Sequence, residues 1–120
     1  MQFNEHKSIY LQIADYMYDQ ILSGQWPDGE RIPSIRDLAV QMEVNPNTVT
    51  RTYTMLQDEG TLQNKRGIGY FTADEARKMV LGKRRADFIN NELPAIFNTM
   101  RQLGVTPEDL HELFRKQSKE

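Results

Sequence analysis

The amino-acid sequence predicts a mainly α-helical fold that carries one small β-hairpin. Three observations support this. Apolar residues recur at helical spacing through most of the 120-residue chain. Two short segments in the first half begin with helix-start signals, Ser34 after Pro33 and Asn45 before Pro46. Between Thr61 and Thr72 the pattern changes to that of paired strands, with Lys65, Arg66, Gly67 and Gly69 around the turn.

The first helix is expected from Ser8 to Ser23. Ile9, Ile13, Met17, Ile21 and Leu22 form one stripe, Ser8 suits the N-cap, and Gly24 suits the position after the last turn. Trp26-Pro27-Asp28-Gly29 reads as a tight turn. The second helix opens at Ser34, with Asp37 three residues on as in a capping box. It turns Ile35, Leu38, Ala39 and Met42 inward and ends near Met42-Glu43-Val44.

The third helix starts at Asn45-Pro46-Asn47-Thr48-Val49-Thr50-Arg51. Asn45 suits the N-cap, and Pro46 suits the first helical position, where its missing N–H costs nothing. Val49, Tyr53 and Leu56 then form a core stripe. Asn47, Arg51, Thr54 and Asp58 lie opposite, flanked by Thr48 and Thr50, and Gly60 ends the helix. After the hairpin the chain returns to helix from Ala73, with Val80, Leu81, Phe88, Ile89, Leu93, Ile96, Phe97, Met100 and Leu103 as its apolar set. Pro94 should bend or break it, and Gly104 should stop it. Thr106-Pro107-Glu108-Asp109 opens a last short helix, with fraying expected from Arg115 to Glu120.

Helix, short helix, tight turn, helix and hairpin is the order of a winged helix-turn-helix domain. That places the domain at residues 1–72 and leaves 73–120 as an appended helical region. In such units the second helix of the motif enters the major groove with its N-terminal residues toward base edges. Here that surface is short and polar, with Arg51 the one charge from Pro46 to Gln57. Asn47 can pair bidentately with adenine, Thr48 and Thr50 offer hydroxyls and methyls, and Arg51 can reach a guanine or a phosphate. Lys65 and Arg66 can enter the minor groove or pair with phosphates, while Gly67 and Gly69 let the backbone turn and approach closely.

Composition narrows the alternatives. There is no cysteine, so no disulfide and no thiolate metal site. No apolar run reaches the ~18 residues of a membrane span, and the first ten residues lack the order of a signal peptide. A cytoplasmic protein is expected. The net charge of −2 is uneven: residues 1–30 carry −4, while 31–72 and 73–120 each carry +1. His6 and His111 have no ligand spacing, so no metal is expected. Asp37, Asp58 and Glu59 make no catalytic pair, and Gly67-x-Gly69 lacks the helix of a nucleotide loop. No cofactor is expected, and an enzyme is not.

The chain resembles the GntR family of bacterial transcriptional regulators over residues 8–72. The resemblance is carried by Ile21-Leu22-Ser23-Gly24, by Pro27-x-Gly29-x-Arg31-Ile32-Pro33-Ser34-Ile35-Arg36-Asp37-Leu38-Ala39, and by Asn45-Pro46-Asn47-Thr48-Val49. Leu56-x-x-Glu59-Gly60 and Gly67-x-Gly69-Tyr70-Phe71 complete it. The run Asn45–Val49 is similar to the YtrA-type subfamily, whose C-terminal region is short and helical. The resemblance implies a homodimeric regulator, most often a repressor, that binds a double-stranded operator. It implies DNA contacts at Ser34 and Arg36, at Asn47, Thr48 and Thr50, and at Gly67 and Gly69. Two positions depart from the family pattern: Thr50 stands where many relatives have Arg, and Glu43 where Gly is common.

The segment 73–114 holds more apolar residues than two short helices can bury alone. A two-fold dimer interface through Phe88, Ile89, Leu93, Ile96 and Phe97 is therefore expected. Lys83-Arg84-Arg85 reads as a solvated face, with an auxiliary phosphate patch as the alternative. One rival reading is a winged helix that binds proteins without DNA specificity, which needs an apolar recognition helix. Another is a ligand sensor, for which 48 C-terminal residues offer little volume. Any small-molecule effector is left open.

Overall fold

Helix-start chemistry sets most of the architecture. The computed structural model describes Phe3 and residues 5–118. Its elements are α1 (Ile9–Leu22), α2 (Ile35–Met42), α3 (Pro46–Asp58), β1 (Leu62–Lys65), β2 (Gly69–Thr72), α4 (Ala76–Asp87), α5 (Leu93–Leu103) and α6 (Pro107–Ser118). Two compact units divide the chain, one ending at Gly82 and one beginning at Lys83. The fold is mainly α with a two-stranded antiparallel hairpin, as the sequence predicts.

Ser34 Oγ accepts from the Asp37 N–H at 3.0 Å, and Asn45 Oδ1 accepts from the Asn47 N–H at 2.8 Å. Pro46 occupies the first turn of α3. Thr106 and Asp109 close a reciprocal capping box on α6. Ser8 precedes α1, but its side chain makes no capping bond. The last helix extends through Arg115 to Ser118, and the end of the expected frayed segment, 119–120, lies outside the described residues.

The core of the first unit joins three helices and the hairpin. Ile13, Met17 and Ile21 of α1 meet Leu38 and Met42 of α2 and Val49, Tyr53 and Leu56 of α3, with Leu62, Ala76 and Val80 closing it. Ile9, expected in the inner stripe, is instead exposed. Thr52, absent from the expected stripe, is fully buried and donates to the Tyr10 carbonyl at 2.7 Å. This bond satisfies a hydroxyl that burial would otherwise penalise, and it ties α3 to the start of α1. Tyr53 donates to the Pro33 carbonyl at 2.6 Å and packs edge-on against Tyr70, ring centroids 4.9 Å apart. Burial, followed by the neighbouring Tyr70, Asp37 and Tyr16, pushes the Tyr53 hydroxyl far up from its ordinary value. It therefore stays a neutral donor.

The hairpin pairs Leu62 with Thr72, Gln63 with Phe71, Asn64 with Tyr70 and Lys65 with Gly69. A third edge joins it through the Arg31–Phe71 bridge, with the Ile32 N–H donating to the Tyr70 carbonyl and the Thr72 N–H to the Glu30 carbonyl, both at 2.9 Å. Thr72 is a junction: its buried hydroxyl donates to the Pro27 carbonyl at 2.5 Å and accepts from the Glu30 N–H at 3.1 Å. The Pro27–Glu30 turn is thus fixed to the base of the wing.

Between α2 and α3, Glu43 adopts φ 56°, ψ 47°, the left-handed conformation that costs an L residue roughly 1–2 kcal/mol. The position needs a glycine-like backbone, which accounts for the family pattern noted above. Glu43→Gly should relieve that strain at the expense of some chain entropy, a net stabilisation of up to about 1 kcal/mol. A raised urea midpoint at unchanged m value would register it; an unchanged or lowered midpoint would refute it.

In the second unit the helix is interrupted, as Pro94 predicts, but the break precedes the proline. Phe88–Glu92 forms a π-helical turn, with the Leu93 N–H donating to the Phe88 carbonyl. Pro94 has no N–H for the Asn90 carbonyl, and its ring would crowd that carbonyl in a regular helix. A wider turn removes the conflict. No helix among the described residues is long and apolar enough to cross a membrane.

Candidate nucleic-acid interface

The N-terminal half of α3 carries the predicted reading surface. Val49, Thr52, Tyr53 and Leu56 face the core, so Asn47, Thr50, Arg51, Thr54 and Asp58 point outward and are exposed, while Thr48 is half-buried at the flank. Asn47 uses its backbone N–H in the Asn45 cap, which leaves its side-chain amide outside the capping bond. Thr50 Oγ1 donates to the Pro46 carbonyl at 3.0 Å, so its methyl and its lone pairs are what it offers outward.

Arg51 is placed differently from its neighbours. Its guanidinium carbon sits 3.7 Å from the centroid of the Tyr10 ring, a cation–π contact on the α1 side of the helix. The ring fixes where the charge is presented without neutralising it.

Ser34 and Arg36 stand at the exposed start of α2. The Ser34 oxygen is occupied as a cap acceptor, but its O–H can still donate. At the wing, Arg66, Gly67 and Ile68 form the turn, closed by the Ile68 N–H donating to the Lys65 carbonyl at 2.8 Å. Lys65 Nζ lies 4.2 Å from the Phe71 ring centroid. Gly67, at φ 79°, has nothing within 4 Å of where a Cβ would be, so its backbone is open to close approach.

Gly69 is unlike Gly67. At φ 148°, the space a Cβ would occupy lies 3.0 Å from Arg31 Nε and 3.2 Å from Arg31 Nη2. The gap is therefore filled by the side chain of Arg31, which bridges to the neighbouring Phe71. Sequence reading left Arg31 and Tyr10 without a role. Their partners, Gly69 and Arg51, are far along the chain, and no local periodicity links them.

The residues from Lys83 onward present a separate surface. Phe88, Ile89, Ile96 and Phe97 are exposed and Leu93 is half-buried. Among the described residues of this unit none is buried. A 280 Å³ groove lined by Ala95, Ile96, Thr99, Met100, Leu103 and Val105 runs beside them. No group of three or more His, Asp or Glu side chains among the described residues is placed to hold a metal.

Comparison with known proteins gives a consistent result. Residues 9–72 match the family described as bacterial regulatory proteins, gntR family. The chain is 34% identical over 111 residues to YhcF of Bacillus subtilis, an uncharacterized HTH-type transcriptional regulator, covering 92% of this chain and 90% of the relative. It is 33% identical over 108 residues to the HTH-type transcriptional repressor YtrA of the same organism, covering 90% and 82%. A crystal structure of a GntR-family protein from Bacteroides thetaiotaomicron superposes with a TM-score of 0.80 at 38% identity, covering 93% of this chain and 97% of the other.

Proposed function

This chain belongs to the GntR family of bacterial regulatory proteins, and we propose that it represses transcription by binding an inverted-repeat operator as a homodimer. As a member it is a DNA-binding helix-turn-helix transcriptional regulator; the family and its relatives are regulators and not enzymes. The observation that carries the reading is the outward face of α3, polar and almost uncharged at its N-terminal end, beside a wing whose tip is cationic. Scarce charge suits the reading of base edges, and a cationic tip suits the gripping of phosphates.

In this reading residues 1–72 bind DNA and 73–120 dimerise. Asn47, Thr48 and Thr50 meet the major-groove edges, and Arg51 meets a guanine or phosphate from its seat on Tyr10. Ser34 and Arg36 meet backbone phosphates. Lys65 and Arg66 grip the wing side, with Gly67 and Gly69 allowing close approach. Phe88, Ile89, Leu93, Ile96 and Phe97 form the two-fold interface, and binding occludes a promoter in the cytoplasm.

Selection from a random-sequence duplex pool tests the function. Enrichment of an inverted repeat supports it, whereas a pool left unenriched would refute sequence-specific binding. Arg66→Ala should weaken binding to every duplex by a similar factor and lower the slope of log K against log salt by about 1. An unchanged slope would remove Arg66 from the interface. The rival protein-interaction reading requires an apolar recognition helix, and Asn47, Thr50, Arg51 and Thr54 oppose it.

A further inference from the structure

Arg31 occupies a position on the wing that neither helix chemistry nor turn chemistry explains. Its bridge to Phe71 adds a third edge beside β2. Directly paired residues project from one face of a sheet, so Arg31, Phe71 and Gln63 point the same way, and Gly69 and Lys65 continue that face toward the tip. The opposite face carries Leu62, Tyr70 and Thr72 toward the core. The outward face therefore gathers two cations, each lying diagonally across β2: Lys65 over the Phe71 ring and Arg31 over the Gly69 backbone.

Arg31 is exposed, and its side chain makes no hydrogen bond or ion pair with any described residue. An exposed guanidinium offers a donor fork that matches phosphate geometry. Arg66 stands at the same hairpin tip, and Lys65 on the same face. A row of closely spaced anions, as on a nucleic-acid backbone, meets such a set together.

We propose that Arg31 is a third phosphate-binding residue of the wing, with Gly69 retained to let its guanidinium lie across β2. The inference rests on the DNA-binding reading above but not on the operator being an inverted repeat. It also adds to the reason for glycine at 69: its φ of 148° already favours glycine, and a Cβ there would press on the guanidinium.

Affinity for a random-sequence duplex should be measured across a salt series with the full chain, for wild type, Arg31→Gln, Arg31→Lys and Arg66→Ala. Arg31→Gln is expected to bind several-fold more weakly and to lower the log–log slope by about 0.9, the release expected for one phosphate contact. Arg31→Lys, which keeps the charge but loses the fork, should restore the slope and only part of the affinity. An unchanged slope in Arg31→Gln overturns the proposal, and if its thermal midpoint falls as well, Arg31 only supports the wing. Failure of wild type to enrich any sequence, with the slope still sensitive to Arg31, would overturn the operator reading and leave this one standing. No binding by wild type at all would overturn both.

Discussion

Phe97→Asp is expected to convert a dimer into a monomer and to weaken operator binding by roughly 10²- to 10⁴-fold. Phe88, Ile89, Ile96 and Phe97 are 45%, 44%, 39% and 43% exposed, and no described residue from Lys83 onward is buried. A group of helices without one buried side chain and with several exposed large apolar ones is the kind of surface a second subunit is expected to cover. A carboxylate at Phe97 would be desolvated at that surface without a partner. Each winged unit would then meet its half-site alone, losing the high effective concentration that pairing provides. The first unit keeps its own core, so its thermal transition should survive the change. Sedimentation and titration on the selected duplex provide the measurements. A monomeric wild type at micromolar concentration, or a Phe97→Asp variant that stays dimeric at full affinity, would reject the interface.

The second large effect belongs to Asn47. Asn47→Ala should cost about 1–3 kcal/mol of operator affinity, roughly 5- to 150-fold, and should relax preference at one base-pair position. Its backbone N–H, not its side chain, serves the Asn45 cap, so the truncation leaves the start of α3 intact. The change therefore separates reading from folding, unlike a substitution at Asn45 or Pro46. Repeating the duplex selection with the variant gives the readout. A uniform loss across all positions would mean that Asn47 touches phosphate, and no loss would remove it from the interface.

The sequence carried the local chemistry well. Ser34, Asn45-Pro46 and Thr106 announce helix starts because a cap is decided by a few neighbouring atoms, and all three act as caps here. The hairpin was legible because its turn and both strands lie within twelve residues of sequence, Thr61 to Thr72. What escaped depends on distant pairing. Thr52 looks like a surface threonine until the Tyr10 carbonyl arrives to satisfy it. Arg51 reads as a free groove cation until the Tyr10 ring is found beneath it. Arg31 and Gly69 meet only through the register of a third strand edge. The strain at Glu43 was half visible, as a departure from a family pattern, but its cause is a backbone angle.

The π-helical turn at Phe88–Glu92 has a geometric consequence for the proposed dimer face. On an uninterrupted α-helix, at about 100° per residue, Phe88, Ile89, Leu93, Ile96 and Phe97 would fan over about 180°, too wide for one flat contact. The turn absorbs one additional residue, which rotates everything after it back by about 100°. Ile96 then falls almost in line with Phe88, and Phe97 with Ile89, closing the fan to about 120°. The segment acts as a phase corrector: it brings two half-turned apolar patches into register. Its length, more than the identity of Asn90 or Asn91 within it, decides whether those patches form one surface.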